Sequence, residues 1–102
     1  MIKEINLTKL TNKKINEELK LIISGHSSWV TSQIVLSNGN LASGSADNTI
    51  RIWNPENGSL IRTLRGHSGS IKSLAVLSNG HLASGSWDKS IKIWNQNDGS
   101  LI

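Results

Sequence analysis

Hydrophobic and polar positions alternate in short runs between residues 30 and 64, and turn-forming residues separate the runs. The apolar-rich runs are Val30 to Leu36, Leu41 to Ser45, Thr49 to Trp53 and Leu60 to Leu64. The turn segments between them are Ser37-Asn38-Gly39-Asn40, Asp47-Asn48 and Pro55-Glu56-Asn57-Gly58. Asn-Gly favours the positive-φ turn that joins antiparallel strands, and Asp-Asn also favours a tight turn. The pattern therefore predicts four antiparallel strands and no helix in this stretch.

The same pattern occurs a second time, 41 residues later. Aligning residues 25–61 with residues 66–102 gives 23 identities at 37 positions. We refer to residues 25–65 as repeat 1 and to residues 66–102 as repeat 2. The strands predicted for repeat 2 are Ile71 to Leu77, Leu82 to Ser86 and Ser90 to Trp94, with a turn at Gln96-Asn97-Asp98-Gly99. A period near 40 residues, with Gly-His early and an apolar-x-apolar-Trp element late, is typical of one blade of a β-propeller.

The two repeats resemble WD40 repeat proteins from Gly25 to Ile102, about three quarters of the chain. The Gly-His, Ser-x-x-x-Asp and apolar-x-apolar-Trp elements carry this resemblance, and each occurs twice at fixed spacing. Asn54 and Asn95 follow the tryptophans where the family commonly has Asp. The resemblance implies an all-β fold, a partial β-propeller of two blades of antiparallel strands.

The two ends of the chain suggest how the blades are bounded. Residues 19–24 align with the outer strand of repeat 1, so we expect an outer strand that belongs to another blade. Residues 1–18 form a lead-in, for which a degenerate third strand beginning at Ile5 and a helix over Asn12 to Ile22 are both open. Repeat 2 ends at Leu101-Ile102, which leaves its outer strand truncated. In WD40 propellers the N-terminal strand commonly completes the last blade, and the resemblance would assign that role to Leu19 to Ile23.

Two blades cannot close a ring, because propellers typically have about 4–8 blades, each packed on two neighbours. We therefore expect the exposed blade faces to be covered by further blades of a longer chain or by self-association, unless the chain is marginally stable alone. The first of these is the favoured interpretation.

Composition and charge argue against several other classes of function. The net charge is +4, but Lys13-Lys14 is the one adjacent basic pair, so we expect no nucleic-acid partner. There is no cysteine, and His26, His67 and His81 are never three or four residues apart, so we expect no metal and no cofactor. The sequence shows neither a membrane-length apolar run nor a signal peptide, and we expect an intracellular, cytoplasmic protein without membrane contact.

Each repeat contains a Ser, a His and an Asp, the residue types of a nucleophilic triad. The same set recurs at the same offset in both repeats, as residues that maintain a fold do, and no Gly-x-Ser-x-Gly motif is present. The WD40 resemblance implies instead a structural hydrogen-bond network: Trp53, Ser43, His26 and Asp47 in repeat 1, and Trp94, Ser84, His67 and Asp88 in repeat 2. Ser45 and Ser86 are the alternatives for the serine position. We expect no catalytic residue and no enzyme activity.

The resemblance also implies where a partner would bind. In WD40 proteins the position three after the His and the position just before the turn Asp lie on the top rim. This rim would present Trp29, Thr31 and Ala46 from repeat 1, with Ser70, Lys72 and Trp87 from repeat 2. Exposed aromatic residues are enriched at binding hot spots. The sequence therefore predicts a non-catalytic scaffold or adaptor that binds a protein or peptide. The alternative is a ligand-sensing or regulatory propeller portion of a larger multidomain protein or enzyme.

Overall fold

The computed structural model describes residues 4–6 and 22–102, and this part of the chain is all-β. Its strands are β1 (Glu4–Asn6), β2 (Ile22–Ser24), β3 (Val30–Val35), β4 (Leu41–Ser45), β5 (Ile50–Trp53), β6 (Leu60–Leu64), β7 (Ile71–Val76), β8 (Leu82–Ser86) and β9 (Ile91–Trp94). Every pair of neighbouring strands is antiparallel. The prediction of an all-β fold is confirmed. Within residues 4–6 and 22–102 there is no helix of the length and apolar character needed to cross a membrane.

Repeat 1 forms a four-stranded sheet in the order β3-β4-β5-β6. Gly39 has a φ of 91° in the turn between β3 and β4, the left-handed conformation in which glycine carries no steric penalty. The sequence predicted β4 and β6 residue for residue, and the inner strand β3 ends one residue earlier than predicted. We refer to this unit as the repeat 1 sheet.

Repeat 2 forms a three-stranded sheet, β7-β8-β9, which we call the repeat 2 sheet. Its fourth strand is reduced to one antiparallel bridge between Trp94 and Leu101, beside a backbone hydrogen bond from the Ile102 amide to the Ile93 carbonyl. In the repeat 1 sheet the matching outer strand continues until Leu64 pairs with Ile50. Among residues 4–6 and 22–102, no strand therefore pairs with the outer edge of β9 around Ile91 as β6 pairs with β5.

The third strand of each repeat begins one residue later than predicted, at Ile50 and Ile91 instead of Thr49 and Ser90. The reason is chemical, because the Thr49 amide donates to the side chain of Asp47 (2.9 Å), and Ser90 makes the same bond to Asp88. Such Asx turns compete with the strand ladder for the backbone amide. These two hydroxyl residues therefore belong to the turn.

The described N-terminal part is a two-stranded sheet of β1 and β2. Ile5 pairs with Ile23, which is the antiparallel pairing of a third strand with an outer strand. Ile22, the last residue of the alternative helix, lies in β2, and the rest of that alternative lies outside the described residues. The predicted outer strand over residues 19–24 is observed from Ile22 to Ser24, and residues 19–21 also lie outside them.

The main hydrophobic core lies between the two repeat sheets. Ile50, Ile52 and Leu64 of repeat 1 pack in one cluster with Ile71, Leu82 and Trp94 of repeat 2. A smaller cluster joins Ile23 of β2 to Val30, Leu41 and Trp53 on the opposite side of the repeat 1 sheet. The repeat 1 sheet is therefore packed on both faces, with the repeat 2 sheet on one of them.

Candidate functional site

A buried chain of hydrogen bonds links four side chains of repeat 1. The Trp53 Nε1–H donates to Ser43 Oγ at 2.8 Å, and Ser43 Oγ lies 2.7 Å from His26 Nε2. His26 Nδ1 lies 2.9 Å from Asp47 Oδ2. A neutral imidazole protonated at Nδ1 satisfies every contact, because Nδ1–H then donates to the carboxylate and Nε2 accepts from the serine hydroxyl. This chain of hydrogen bonds holds together the segment before β3, which contains His26, and the strands β4 and β5, which contain Ser43 and Trp53.

Repeat 2 contains the same chain of four residues with nearly the same geometry. Trp94 Nε1–H donates to Ser84 Oγ at 2.8 Å, and Ser84 Oγ lies 2.7 Å from His67 Nε2. His67 Nδ1 lies 2.7 Å from Asp88 Oδ2. In both repeats the structure brings together the four residues that the family resemblance indicated.

Two further hydroxyl groups, which the sequence analysis did not single out, complete the two aspartate sites. The Thr49 hydroxyl donates to Asp47 Oδ1 at 2.6 Å, and the Ser90 hydroxyl donates to Asp88 Oδ1 at 2.5 Å. The signal was available in the sequence, since both repeats carry a hydroxyl residue two positions after the Asp. The alternative serines, Ser45 and Ser86, bind the turn instead of the indole. Ser45 Oγ accepts from the Asp47 amide and Ser86 Oγ accepts from the Asp88 amide, both at 3.0 Å. The indole N–H of Trp53 donates to Ser43.

These hydrogen bonds shift the pKa of both carboxyl groups downwards. Burial raises the pKa of Asp47, but the Thr49 hydroxyl and amide together with His26 outweigh it, so that the pKa falls from 3.8 to about 2. The Ser90 hydroxyl is the largest influence on Asp88, and it holds the pKa of that carboxyl well below its usual range. Both side chains are therefore carboxylates at neutral pH, as acceptors for imidazole N–H groups must be.

Burial sets the charge state of His26. Its side chain is 1% exposed, and this burial lowers the pKa of the imidazole below 6.5, against the opposing influence of Asp47. The neutral ring that the hydrogen bonds require is thus the favoured form at neutral pH.

Although serine, histidine and aspartate stand in triad order, their surroundings do not suit a nucleophile. Ser43 is fully buried and Ser84 is 1% exposed, so neither hydroxyl is open to a substrate. Each serine oxygen also accepts a hydrogen bond from an indole N–H, which draws electron density away from the atom that would attack. The geometry suits a structural link between strands.

The six predicted rim residues lie at one end of the two sheets, where β3 and β7 begin and where β4 and β8 end. The Ala46 amide donates to the Trp29 carbonyl at 2.9 Å, and the Trp87 amide donates to the Ser70 carbonyl at 2.9 Å. The Thr31 hydroxyl donates to the Ile71 carbonyl at 2.6 Å and so joins the two inner strands at this end. We call the surface formed by Trp29, Thr31, Ala46, Ser70, Lys72 and Trp87 the upper rim.

Two of these residues lie at irregularities of the inner strands. The register of the inner strand shifts between Val30 and Ser32 in repeat 1 and between Ile71 and Ser73 in repeat 2, which leaves Thr31 and Lys72 without a direct partner. Such bulges re-aim a side chain. In repeat 1 the Thr31 hydroxyl donates to the Ile71 carbonyl of β7 in the repeat 2 sheet. In repeat 2 the ammonium group of Lys72 lies 4.5 Å from the centre of the Trp87 ring.

The tryptophans divide into two classes by exposure. Trp53 and Trp94 are buried, whereas Trp29 is 50% exposed and Trp87 is 67% exposed. His81 lies away from both hydrogen-bond chains, and in the part of the chain that the structure describes no group of three or more metal-ligating side chains is present. The upper rim is therefore the described surface on which aromatic residues are most accessible.

The comparison with known families settles what the repeated sheets are. The model of the WD domain, G-beta repeat (WD40), matches residues 17–54 and 58–95. The chain belongs to the WD40 repeat family. The two matches begin 41 residues apart, and each includes the outer strand of one sheet and ends at the Asn that follows the Trp of the next. The prediction of a partial WD40 propeller is confirmed.

Solved structures show the same WD40 fold. The WD40 β-propeller domain of Doa1 is 35% identical to the chain, with a TM-score of 0.73, over 82% of this chain and 29% of that chain. The computationally designed Ika4 protein is 32% identical, with a TM-score of 0.68, over 78% of this chain and 48% of that chain. The chain thus spans less than half the length of these two relatives. No curated protein matches it in sequence.

The WD40 family as a whole has a well-known general role. WD40 propeller domains are typically non-catalytic scaffolds that bind proteins or peptides.

Asn54 and Asn95 stand after the tryptophans where the family commonly has Asp, yet both still cap a turn. Asn54 Oδ1 accepts from the Glu56 amide at 2.8 Å, and Asn95 Oδ1 accepts from the Asn97 amide at 2.8 Å. The departure leaves the turn chemistry intact.

Proposed function

We propose that the chain is a non-catalytic interaction module that binds a peptide or protein segment on the upper rim, with Trp87 as the main contact. The observation that carries this proposal is the exposure of Trp87 at 67%, beside the cationic side chain of Lys72. Tryptophan is enriched at binding hot spots because it buries a large apolar area at a small entropic cost. An indole held in this position is already oriented for a partner.

The comparison of the two repeats supports the same surface. The four positions of the hydrogen-bond chain carry identical residues in both repeats: His, Ser, Asp and Trp. All three rim positions differ, with Trp29 in place of Ser70, Thr31 in place of Lys72 and Ala46 in place of Trp87. The fold therefore does not require particular residues at the rim, which leaves these positions open to the requirements of a partner.

Charge and shape indicate the chemistry of that partner. Lys72 lies over the Trp87 ring, so an apolar side chain packed on the open side of the indole would lie next to an ammonium group. We therefore propose a peptide that combines an apolar or aromatic side chain with a nearby carboxylate. Trp29 supplies a second apolar contact from the neighbouring sheet.

Peptides selected from a random display library on the folded chain would test this proposal. We expect the dissociation constant of a selected synthetic peptide, measured by calorimetry, to rise about 30-fold or more on Trp87→Ala, as for a hot spot of about 2 kcal/mol. The matched control is Leu60→Ala, since Leu60 is an exposed apolar residue on the outer strand β6, away from the rim. Circular dichroism checks that both variants remain folded.

The control also defines the opposite result. If Trp87→Ala and Leu60→Ala leave the affinity equally unchanged, the assignment of the rim is wrong. A Lys72→Met variant separates the two contacts, because it retains the apolar stem and removes the charge. We expect it to weaken acidic peptides more than neutral ones.

A further inference from the structure

The repeat 2 sheet has an apolar face that the rest of the described chain leaves open. The face that the repeat 1 sheet turns towards repeat 2 is built from Ile34, Leu36, Ala42, Gly44, Ile50 and Ile52. The equivalent positions of repeat 2 are Ala75, Leu77, Ala83, Gly85, Ile91 and Ile93, which we call the free face. Five of the six pairs are alike or identical apolar residues, and the sixth exchanges Ile34 for Ala75.

The same residue has opposite environments on these two faces. Ile50 is fully buried, because Ile71, Leu82 and Trp94 of the next sheet pack in the same cluster, whereas Ile91 is 76% exposed. A Cβ added at Gly44 would clash with the Ile71 side chain, and one added at Gly85 would meet nothing closer than Ser73 Oγ of its own sheet, at 3.3 Å. The free face is thus one half of a sheet-to-sheet interface whose geometry the chain already shows once.

The chain also carries the other half of that interface. Repeat 2 presents Ile71, Leu82 and Trp94 to repeat 1, and the equivalent residues of repeat 1 are Val30, Leu41 and Trp53. Ile23 of β2 lies on this second face in the position that Leu64 of β6 occupies on the first. The outer strand that completes such an interface is therefore already in place beside Trp53.

We propose that the free face of one copy binds the Val30, Leu41 and Trp53 face of a second copy, so that chains associate head to tail. The outer edge of β9, which no other described strand pairs with, then pairs with β2 of the second copy, in place of β1. Since Ile50 pairs with Leu64 in the repeat 1 sheet, the same register places Ile91 opposite Ile23 of the second copy. Each interface repeats the packing between the two sheets of one chain, and the resulting arrangement continues the propeller.

Head-to-tail contacts of this kind close into a ring when the rotation per copy allows it. Propellers have about 4–8 blades, so that two, three or four copies of a two-bladed chain form a closed ring. The expected mass of the assembly is two, three or four times 11.1 kDa.

The mass of the 102-residue chain in solution tests the proposal, by light scattering and sedimentation equilibrium over a range of concentrations. We expect the wild-type chain to form the closed assembly and Ile91→Asp to raise its dissociation constant about 10-fold or more. Ile91 is exposed within a single chain, so its replacement leaves the fold of each copy intact, which circular dichroism verifies. The matched control is Ile61→Asp, which changes an exposed isoleucine outside both core clusters and should leave the mass unchanged.

A covalent link tests the register independently of any loss of stability. The chain has no cysteine. Arg51 pairs with Thr63 in the repeat 1 sheet, and the equivalent residues are Lys92 of β9 and Ile22 of β2. The substitution Lys92→Cys in one copy should therefore lie opposite Ile22→Cys in the next. We expect an equimolar mixture of the two variants to form a disulfide-linked dimer under mild oxidation, and neither variant alone to do so. A wild-type mass of 11.1 kDa at every concentration up to about 1 mM would overturn the proposal. A further repeat of a longer chain would then be the expected occupant of the free face. Links that form within one variant alone would overturn the head-to-tail geometry.

Discussion

Replacing Ser43 by alanine removes the oxygen atom on which the Trp53 indole and the His26 ring both depend. Ser43 is fully buried, so water cannot take the place of the lost hydroxyl. The indole N–H loses its acceptor at 2.8 Å, and His26 Nε2 loses its donor at 2.7 Å. The substitution therefore leaves two buried polar groups without partners.

The size of the effect follows from the cost of each unpaired group. A buried donor or acceptor that loses its partner costs about 1–3 kcal/mol, so we expect the free energy of unfolding to fall by about 2–4 kcal/mol, since the two costs share one site. For a domain of this size, 1 kcal/mol corresponds to about 4–8 °C in Tm. We therefore expect Tm to fall by roughly 8–32 °C.

Thermal and urea unfolding, followed by circular dichroism, measure this change. The matched control is Ser27→Ala, because Ser27 is exposed and contributes its amide to Asp47, which alanine retains. We expect this control to lie within about 0.5 kcal/mol of wild type. A double-mutant cycle with Trp53→Phe should show coupling, since phenylalanine removes the unpaired N–H. Equal effects of Ser43→Ala and Ser27→Ala, or strict additivity in the cycle, would refute the reasoning.

Three further predictions concern a turn residue, the buried imidazole of His26 and the buried serines. Lys89 has a φ of 72° at the position where repeat 1 has Asn48, and asparagine tolerates this conformation better than lysine. Lys89→Asn should therefore raise the free energy of unfolding, measured in urea, by about 0.5–1 kcal/mol. A lower free energy of unfolding would contradict the presence of backbone strain at Lys89. The pKa of His26 in the folded chain is lowered below 6.5, so the stability that the neutral imidazole contributes is present above pH 6.5 and is lost as the pH falls through the folded pKa. Tm should therefore drop between pH 7.5 and pH 5.5. A Tm that is constant over this range would contradict the prediction. A fluorophosphonate probe should label neither Ser43 nor Ser84 in the folded chain, as mass spectrometry would show, whereas labelling of either serine would indicate a reactive nucleophile.

The secondary structure was the part of the fold most open to prediction from the sequence. Leu41–Ser45, Leu60–Leu64 and Leu82–Ser86 were predicted with their observed bounds, because turn-forming segments that contain Asn, Asp or Gly separate the apolar runs. The third strands were predicted one residue too long. The placement of Thr49 and Ser90 in a turn depends on local hydrogen bonds to the aspartate two residues earlier, and these bonds take the backbone amide out of the strand ladder.

The candidate site divides in the same way. The WD40 resemblance named the four residues of each hydrogen-bond chain, and Ser45 remained an alternative to Ser43 because the two serines lie on the same face of one strand. The roles of Thr49 and Ser90 were missed although the sequence carries their signal, a hydroxyl residue two positions after each Asp. The contact between Lys72 and Trp87 also had no sequence signal, since it depends on a bulge in β7 that turns the lysine towards the neighbouring hairpin.

Hydrogen exchange of the four tryptophan indole protons, measured by ¹⁵N-resolved NMR before and after addition of a selected peptide, tests the account most directly. Trp53 and Trp94 donate to buried serines and should exchange slowly, whereas Trp29 and Trp87 are exposed and should exchange rapidly. The peptide should shift and protect the indole signal of Trp87, with a smaller change at Trp29, and should leave the two buried signals in place. Similar exchange rates for all four protons, or peptide-induced shifts confined to Trp53 and Trp94, would contradict the division between a structural core and a binding rim.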